Sequence, residues 1–445
     1  MINSNSSSIT FIKDFETNQI LKNLLPKLLS IKKTNKPPRV TALPDFFVDR
    51  IIEVTDHSKF VSETKKKIKV GGGSMRGYSS QDIKGGNAVN VAYCMAKLGV
   101  CIDLYTVADK IGNSILKSVF APFGDTVNLY VKAGKQGLST VFEFSNDQIA
   151  YSPSNVMVSD VGDNDNFGPD ILESKKIISN LQSSDAVIIT NWASNLRGTD
   201  LLHFVFENSP GSIHFLDPAD IEQRCFEFIN MLKTHSNLVN FLSINENEYN
   251  QLVKAFQSIF VKQPSIKNKD EDDAANHTAV ADENDNDKNN TITNNNSKSD
   301  IINNDYHPIK LHVFDGDSYP RNIDSTCETI KTFSNYFDLT VCLHTTKGSV
   351  MSTPSTNICA KRDSRKSKNN AIENVIFASA IIPSKIDLVS GAGDSWDAGF
   401  MFGHLHGFDD IEKLCFANLL ASLHIENLFK DDPSLVQVID HIKSI

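Results

Sequence analysis

Short apolar runs alternate with helical patterns along most of the 445 residues. "RVTAL" (39–43), "IDLYTVA" (102–108), "SDAVIITNW" (184–192), "SIHFLDP" (212–218), "LVNFLSIN" (238–245) and "FDLTVCLHTT" (337–346) each read as a strand. Near-continuous Val, Ile and Leu strands separated by helices predict an α/β fold, a mostly parallel sheet covered on both faces. Ligands of such sheets sit beyond the carboxyl ends of the strands. The polar clusters "PDFFVD", "NWASN", "DPAD", "NENE" and "HTTKGS" fall there. Two segments break the rule. Residues 51–84 and 139–153 are half polar and strand-like, with a turn signal at Asn146-Asp147, and predict a small β layer serving as a lid.

Two stretches stand apart from this core. Residues 1–37 carry helical spacing at Ile20, Leu21, Leu24, Leu25 and Leu28, with Pro26 expected to bend or divide the helix. They read as an N-terminal helical appendage that packs on the main domain or on a partner. Residues 264–305 are rich in Asn and Asp and nearly free of large apolar groups. Such a segment buries too little surface to offset its ordering entropy, so a disordered acidic insertion is expected there. "KRDSRKSKNN" (361–370) reads as an exposed loop.

Composition narrows the class. A 40% hydrophobic content supports one large core or two medium ones. The formal net charge of −10 argues against a broad grip on nucleic acid or an anionic membrane. Seven scattered cysteines, none in a CxxC pair, suit a reducing cytoplasm. No apolar run approaches the roughly 20 residues of a membrane helix, and no secretory signal pattern opens the chain.

Three clusters carry chemistry. In "SGAGDSWDAGF", Gly391, Ala392 and Gly393 precede a helix, whose N-terminus offers free N–H groups to an anion. Asp394 in the first turn would repel a resting phosphate, but it suits a base that takes a proton from a hydroxyl during phosphoryl transfer. The bland alternative is a helix start with a capping Asp. In "GGNAVNVAYCMAKLG", Val91, Ala92, Met95 and Leu98 form an apolar stripe that Gly99 ends. Asn87 and Asn90 share one face of its first turn and suit a polyol, unless Asn87 merely caps the helix. In "SINENEYNQL", Asn245 and Glu248 can face one point and suit a hydrated Mg²⁺, or form a capping box.

In this order the three clusters resemble the ribokinase-like (PfkB) carbohydrate kinases, over about residues 38–435. The resemblance implies a ribokinase-like three-layer α/β core with a small β-sheet lid, a kinase domain over residues 38–445, and a cytoplasmic enzyme using ATP and Mg²⁺. It implies transfer of the γ-phosphoryl group to a hydroxyl of a small sugar. A nucleoside acceptor, with Phe46, Phe47 and Phe142 as a wall for the base, and a catalytically silent sugar-binding regulator remain open. An NAD-dependent oxidoreductase does not fit, because no GxGxxG follows the first strand. Asp394 matches the base; Gly391, Ala392 and Gly393 match the anion hole. Asp49, Gly85, Gly86, Asn87 and Asn90 match the substrate side, Asn245 and Glu248 the metal motif, and Lys347-Gly348 the nucleotide loop. Pairing of two subunits through the lid is implied as an option.

The chain departs from the pattern in two places. Leu388, Val389 and Ser390 stand where the family has Asp-Thr-x, so monovalent-cation activation is not expected. His344 to Gly348 replace its Thr-x-Gly loop. Among the remaining residues, Asn191 and Trp192 close a central strand, by the site or in packing. Gly71–Gly73 read as a lid turn, Arg76 as a contact to an acidic or phosphorylated substrate, and His404 and His406 as structural or exposed.

Overall fold

The computed structural model describes residues 9–33, 36–144, 154–261, 323–355, 375–429 and 431–445. The expected acidic insertion (264–305), the loop at 361–370 and the turn at Asn146-Asp147 lie outside them.

Fourteen strands are described: β1 (Ile9–Ile12), β2 (Arg39–Leu43), β3 (Phe47–Val54), β4 (Ser80–Gly85), β5 (Cys101–Ala108), β6 (Val127–Ala133), β7 (Gly137–Phe144), β8 (Ser154–Asp160), β9 (Ala186–Thr190), β10 (Ile213–Asp217), β11 (Phe241–Ile244), β12 (Thr340–Thr345), β13 (Gly348–Ser352) and β14 (Val375–Ser379). Ten form one sheet in the order β1-β14-β13-β12-β11-β10-β9-β2-β5-β6. Its pairs are parallel except β12 with β13 and β13 with β14. The six strands read from the sequence all lie in this sheet.

Alternation along each strand divides the core. Val40, Ala42, Ala186 and Ile188 face one apolar layer, with the helices Asn87–Lys97, Ala392–Leu405 and Asp410–Glu426. Val187, Ile189, Leu216 and Leu242 face the other, with the helices Gly198–Glu207, Cys225–His235, Glu246–Val261 and Ile323–Phe337. Burial on both faces is why these strands are apolar throughout and not alternating.

The second sheet, in the order β4-β3-β7-β8, is the small β layer. One expectation fails within it. Residues 57–69 form a helix, His57–Lys69, between β3 and β4. The Asp56 carboxylate accepts from Lys59 N–H at its start. None of its residues is fully buried, so no apolar stripe marked it. Gly71–Gly73, all with positive φ, link this helix towards β4.

The N-terminal segment is woven into the large sheet. β1 pairs in parallel with β14. The helix Asp14–Ile31 follows and buries Leu21, Leu24 and Leu28 in the core. Pro26 sits inside this helix without dividing it, on an exposed turn.

Candidate active site

The carboxyl ends of β9 to β12 and the facing side of the small sheet enclose a cavity of about 810 Å³. Ser139, Met157 and Ser159 line it from the small sheet, and Asn191, Asp217, Asn245 and His344 from the large one. Nine of the residues matched to the family's site line this one cavity: Asp49, Gly86, Asn87, Asn90, Asn245, Glu248, Gly391, Gly393 and Asp394.

The helix Ala392–Leu405 starts on Gly391, whose φ of 87° is left-handed and favours glycine. No side chain caps this helix. The Ala392 N–H turns back to the Val389 carbonyl at 3.3 Å. The next first-turn amides, of Gly393 and Asp394, have no intrahelical acceptor. A Cβ on Gly393 would lie 3.1 Å from the His344 ring, so glycine keeps this approach open.

Asp394 is buried and accepts a hydrogen bond from Asn90 Nδ2 at 2.9 Å. Burial, then the charge of Asp217, pushes its carboxyl well above the ordinary range, while the Asn90 bond opposes this. Asp217 ends β10 and accepts from Asn87 Nδ2 at 3.2 Å and from Ala219 N–H at 2.9 Å. Burial also holds its carboxyl up. Asp397, one turn beyond Asp394, accepts from Ser243 Oγ at 2.6 Å. Its Oδ2 meets no donor among the described residues.

The helix Asn87–Lys97 is not capped by Asn87. Gly86, with φ of 90°, is its N-cap and carries no side chain. The carboxylate of Asp45 takes the N–H groups of Asn87 and Ala88, at 2.8 and 3.1 Å. The same carboxylate accepts from Thr190 Oγ1 and Asn191 Nδ2. Relieved of capping, the Asn87 amide is free to reach Asp217. Asp49 faces the cavity from β3; burial pushes its pKa up to about 6, against a hydrogen bond from Ser139. Gly85 does not line the cavity but makes room for Asp49: a Cβ there would stand 2.0 Å from Oδ2.

Asn245 and Glu248 form the reciprocal capping box and also line the cavity. Asn245 Oδ1 accepts from the N–H groups of Asn247 and Glu248, and Glu248 accepts from Asn245 N–H at 2.8 Å and Nδ2 at 2.7 Å. Burial, then the charge of Asp217, raises Glu248 well above its ordinary value.

Lys347 and Gly348, expected at the nucleotide loop, lie at the turn between β12 and β13. Thr345 pairs with Gly348, so Thr346 and Lys347 are the two tip residues of a tight hairpin. Glu246 fastens that tip by accepting from Thr346 N–H and Oγ1. Neither Lys347 nor Gly348 lines the cavity; His344 does. Its ring stacks on Trp396 with centroids 5.1 Å apart, and burial drops its pKa to about 4, so it is neutral near pH 7. Of the three phenylalanines offered as a wall, only Phe47 lines the cavity. Phe46 is in the core, and Phe142 packs on Phe60 of the helix His57–Lys69. Asn191 lines the cavity; Trp192 is buried against Phe228. His404 packs on Phe241, and His406 Nδ1 bonds the Phe402 carbonyl, both away from the cavity.

Solved structures share this fold across almost the whole chain. An adenosine kinase from Sinorhizobium meliloti superposes with a TM-score of 0.58 at 14% identity, covering 92% of this chain and 99% of that one. An Arabidopsis thaliana ribokinase, complexed with ribose and ATP, gives 0.56 at 15%, covering 92% and 99%. A Cryptococcus neoformans ribokinase in complex with ADP gives 0.58 at 13%, covering 92% and 100%. The fold is ribokinase-like. No family model matches the chain, and no curated protein matches it. Identity this low leaves the ribokinase-like fold as what the likeness carries, and the chemistry rests on the side chains above.

The ribokinase-like core also brings in residues that sequence adjacency did not mark as site residues. Asp45, Asp217 and His344 each end or follow a strand of the large sheet. Their only sequence signal is that position, within "PDFFVD", "DPAD" and "HTTKGS".

Proposed function

We propose that the chain is an ATP-dependent kinase that transfers the γ-phosphoryl group to a hydroxyl of a small sugar. One observation carries this reading. The buried Asp394 carboxylate and the uncapped helix N-terminus at Gly391 and Gly393 line one cavity together with Asp49, Asn87 and Asn90, and Asn90 donates to Asp394. Solved neighbours of the same fold that hold ribose with ATP, or ADP, support it.

Asp49 and the Asn87 amide orient the acceptor's hydroxyls. Asp394 takes the proton of the attacking hydroxyl, late, because the transition state of phosphoryl transfer is loose. The amides of Gly393 and Asp394 stabilise charge on the migrating group without reorganisation. The small sheet covers the cavity and keeps out the water that would hydrolyse ATP.

The residues present suit Mg²⁺. Asn245 and Glu248 supply hard oxygen donors at the cavity wall, and the neighbouring charges of Asp217 and Asp220 already press on Glu248. Mg²⁺ keeps most of its waters, so two protein oxygens at the wall are enough to place it. When bound, Mg²⁺ supplies positive charge beside the phosphates.

The lining favours a sugar over a nucleoside. A purine is held by apolar or aromatic walls, whereas the described lining is mostly polar, with Phe47, Met157, Val161 and Ala219 as its non-glycine apolar residues. A silent regulator has no need of a buried carboxylate beside an open helix N-terminus.

Purified protein with Mg·ATP and a panel of sugars and nucleosides, read by ADP release, tests the proposal. Turnover of a sugar is expected, and Asp394→Asn should lower kcat about 10²–10⁴-fold, the usual worth of a general base. ATP binding should persist in that variant. Binding of sugars without any turnover by the wild type would leave the regulator as the answer. A variant as fast as the wild type would remove Asp394 from the mechanism.

A further inference from the structure

Lys84 is the penultimate residue of β4, directly before the Gly85-Gly86 pair. Its ammonium lies 3.2 Å from Asn90 Oδ1, 3.6 Å from Asp432 Oδ2 and 4.4 Å above the Tyr93 ring. An ammonium donates and cannot accept. It therefore decides which end of the Asn90 amide faces it. With Oδ1 towards Lys84, Nδ2 points at Asp394, where it donates at 2.9 Å. The flipped amide would set NH₂ against the ammonium and oxygen against the carboxylate, two repulsions in place of two bonds.

We propose that Lys84 is a positioning residue of the phosphoryl-transfer site, fixing the Asn90 amide so that it donates to the Asp394 carboxylate and holds that carboxylate in place. The inference rests on the kinase reading for its catalytic meaning, though not for its geometry. The surroundings show why such a device is needed. Asp394 faces the carboxyls of Asp45 and Asp217 and, on its own helix, Asp397. The charges of Asp217 and Asp45 push its proton affinity up; Lys84 is the cation that pulls it down. Asp49, across the cavity, feels the same ammonium.

The ammonium is itself anchored. Asp432 accepts from His424 Nδ1 at 2.8 Å and from Ser395 Oγ at 3.3 Å, and its pKa is held down at about 2 although burial alone would raise it. His424 Nε2 donates to the Ser390 carbonyl at 2.8 Å, just before the Gly391 N-cap. One carboxylate thus ties the last residues of a lid strand to both ends of the loop-to-helix junction carrying Asp394.

The test compares Lys84→Met and Lys84→Arg with the wild type. Two readouts are taken: kcat against pH, and the titration of the Asp394 side-chain carboxyl by ¹³C NMR, assigned by its loss in Asp394→Asn. Lys84→Met should lower kcat by about tenfold to a hundredfold, the range lost with one hydrogen bond to a charged group. The acidic limb of its kcat profile and the Asp394 midpoint should both move to higher pH. Lys84→Arg, which keeps charge and donors, should restore both the limb and the midpoint. An Asp394 midpoint unmoved in Lys84→Met, whatever happens to kcat, overturns the proposal. If the wild type turns over no acceptor, the kinase reading falls, and the carboxyl titration still decides whether Lys84 sets the state of Asp394.

Discussion

Asp49 is the residue at which site and stability pull apart. Its ordinary pKa is 3.8, and burial raises it to about 6 in the folded chain, with the charge of Asp45 adding to the rise. The native state therefore binds this proton more tightly than the unfolded state. Stability falls as pH rises from about 4 through 6 and stays reduced above. Asp49→Asn removes that penalty. It should raise the unfolding free energy by about 1–3 kcal/mol at pH 7.5, a gain that shrinks below pH 6 and is gone below pH 4. The same variant should lose acceptor affinity by about tenfold or more, because the carboxylate's hydrogen bonds to hydroxyls are charge-assisted. Denaturation at several pH values, beside acceptor kcat/KM, checks both halves. A variant that is no more stable at pH 7.5 would mean that Asp49 is better solvated than its burial indicates. Sequence motifs singled out Asp49, Asn87, Asn90 and Asp394, because each lies within a few residues of a glycine pair or a strand end. They could not show that Asp45 caps a helix more than 40 residues away, at Asn87 and Ala88. Nor could they show Asp217 as the partner of Asn87, since that bond joins a strand end to a helix start distant in the chain.

At the scale of elements, the strands of the large sheet were legible because burial on both faces leaves a continuous apolar run. The helix His57–Lys69 was not, because it lies over the small sheet and buries no residue fully. Its one sequence signal was Asp56, three residues before the amide it caps. The helix Asp14–Ile31 shows the opposite case. Its apolar spacing was correct, while Pro26 suggested a break that packing overrode. Leu21, Leu24 and Leu28 are fully buried on one side of it, and full burial of each contributes about 1.5–3 kcal/mol, more together than one interior proline removes. Pro26 faces solvent, and it leaves the carbonyl four residues back, on Lys22, without its helical donor. Pro26→Ala should therefore stabilise the protein. An interior proline costs about 3 kcal/mol relative to alanine, and the loss of its stiffening of the unfolded chain returns about 0.4–1 kcal/mol, so a net gain near 2 kcal/mol is expected. Urea unfolding at fixed pH measures it; an unchanged midpoint would place the strain of this proline outside the helix.

Over the whole molecule, the cavity is assembled from segments that span most of the chain, from Phe47 to Asp394, and its electrostatic character belongs to the assembly. Six carboxyl-bearing residues line it: Asp49, Asp217, Asp220, Glu222, Glu248 and Asp394. Lys254 is the one lysine or arginine among the described lining residues. The chain as a whole carries −10, so the field outside does not reverse the field within. Burial and mutual repulsion hold several of these carboxyls above their ordinary range, which softens the negative charge without inverting it. An acceptor bearing a phosphate would enter as a second anion beside ATP, with no arginine among the described lining residues to receive it. Like charges brought together in such a site cost several kcal/mol, whereas hydroxyls meet carboxylates and amides as donors and acceptors in turn. The expected acceptor is therefore an uncharged polyol. In a panel pairing each free sugar with its monophosphates, kcat/KM should favour the free sugar by at least about tenfold, a difference of 1.4 kcal/mol that is modest beside the repulsion. The preference should narrow as ionic strength rises, because screening weakens the field at the cavity mouth more than the hydrogen bonds inside. A sugar phosphate turned over faster than its parent sugar would show that a cationic group receives it, and Lys254→Met, abolishing that preference, would identify which one.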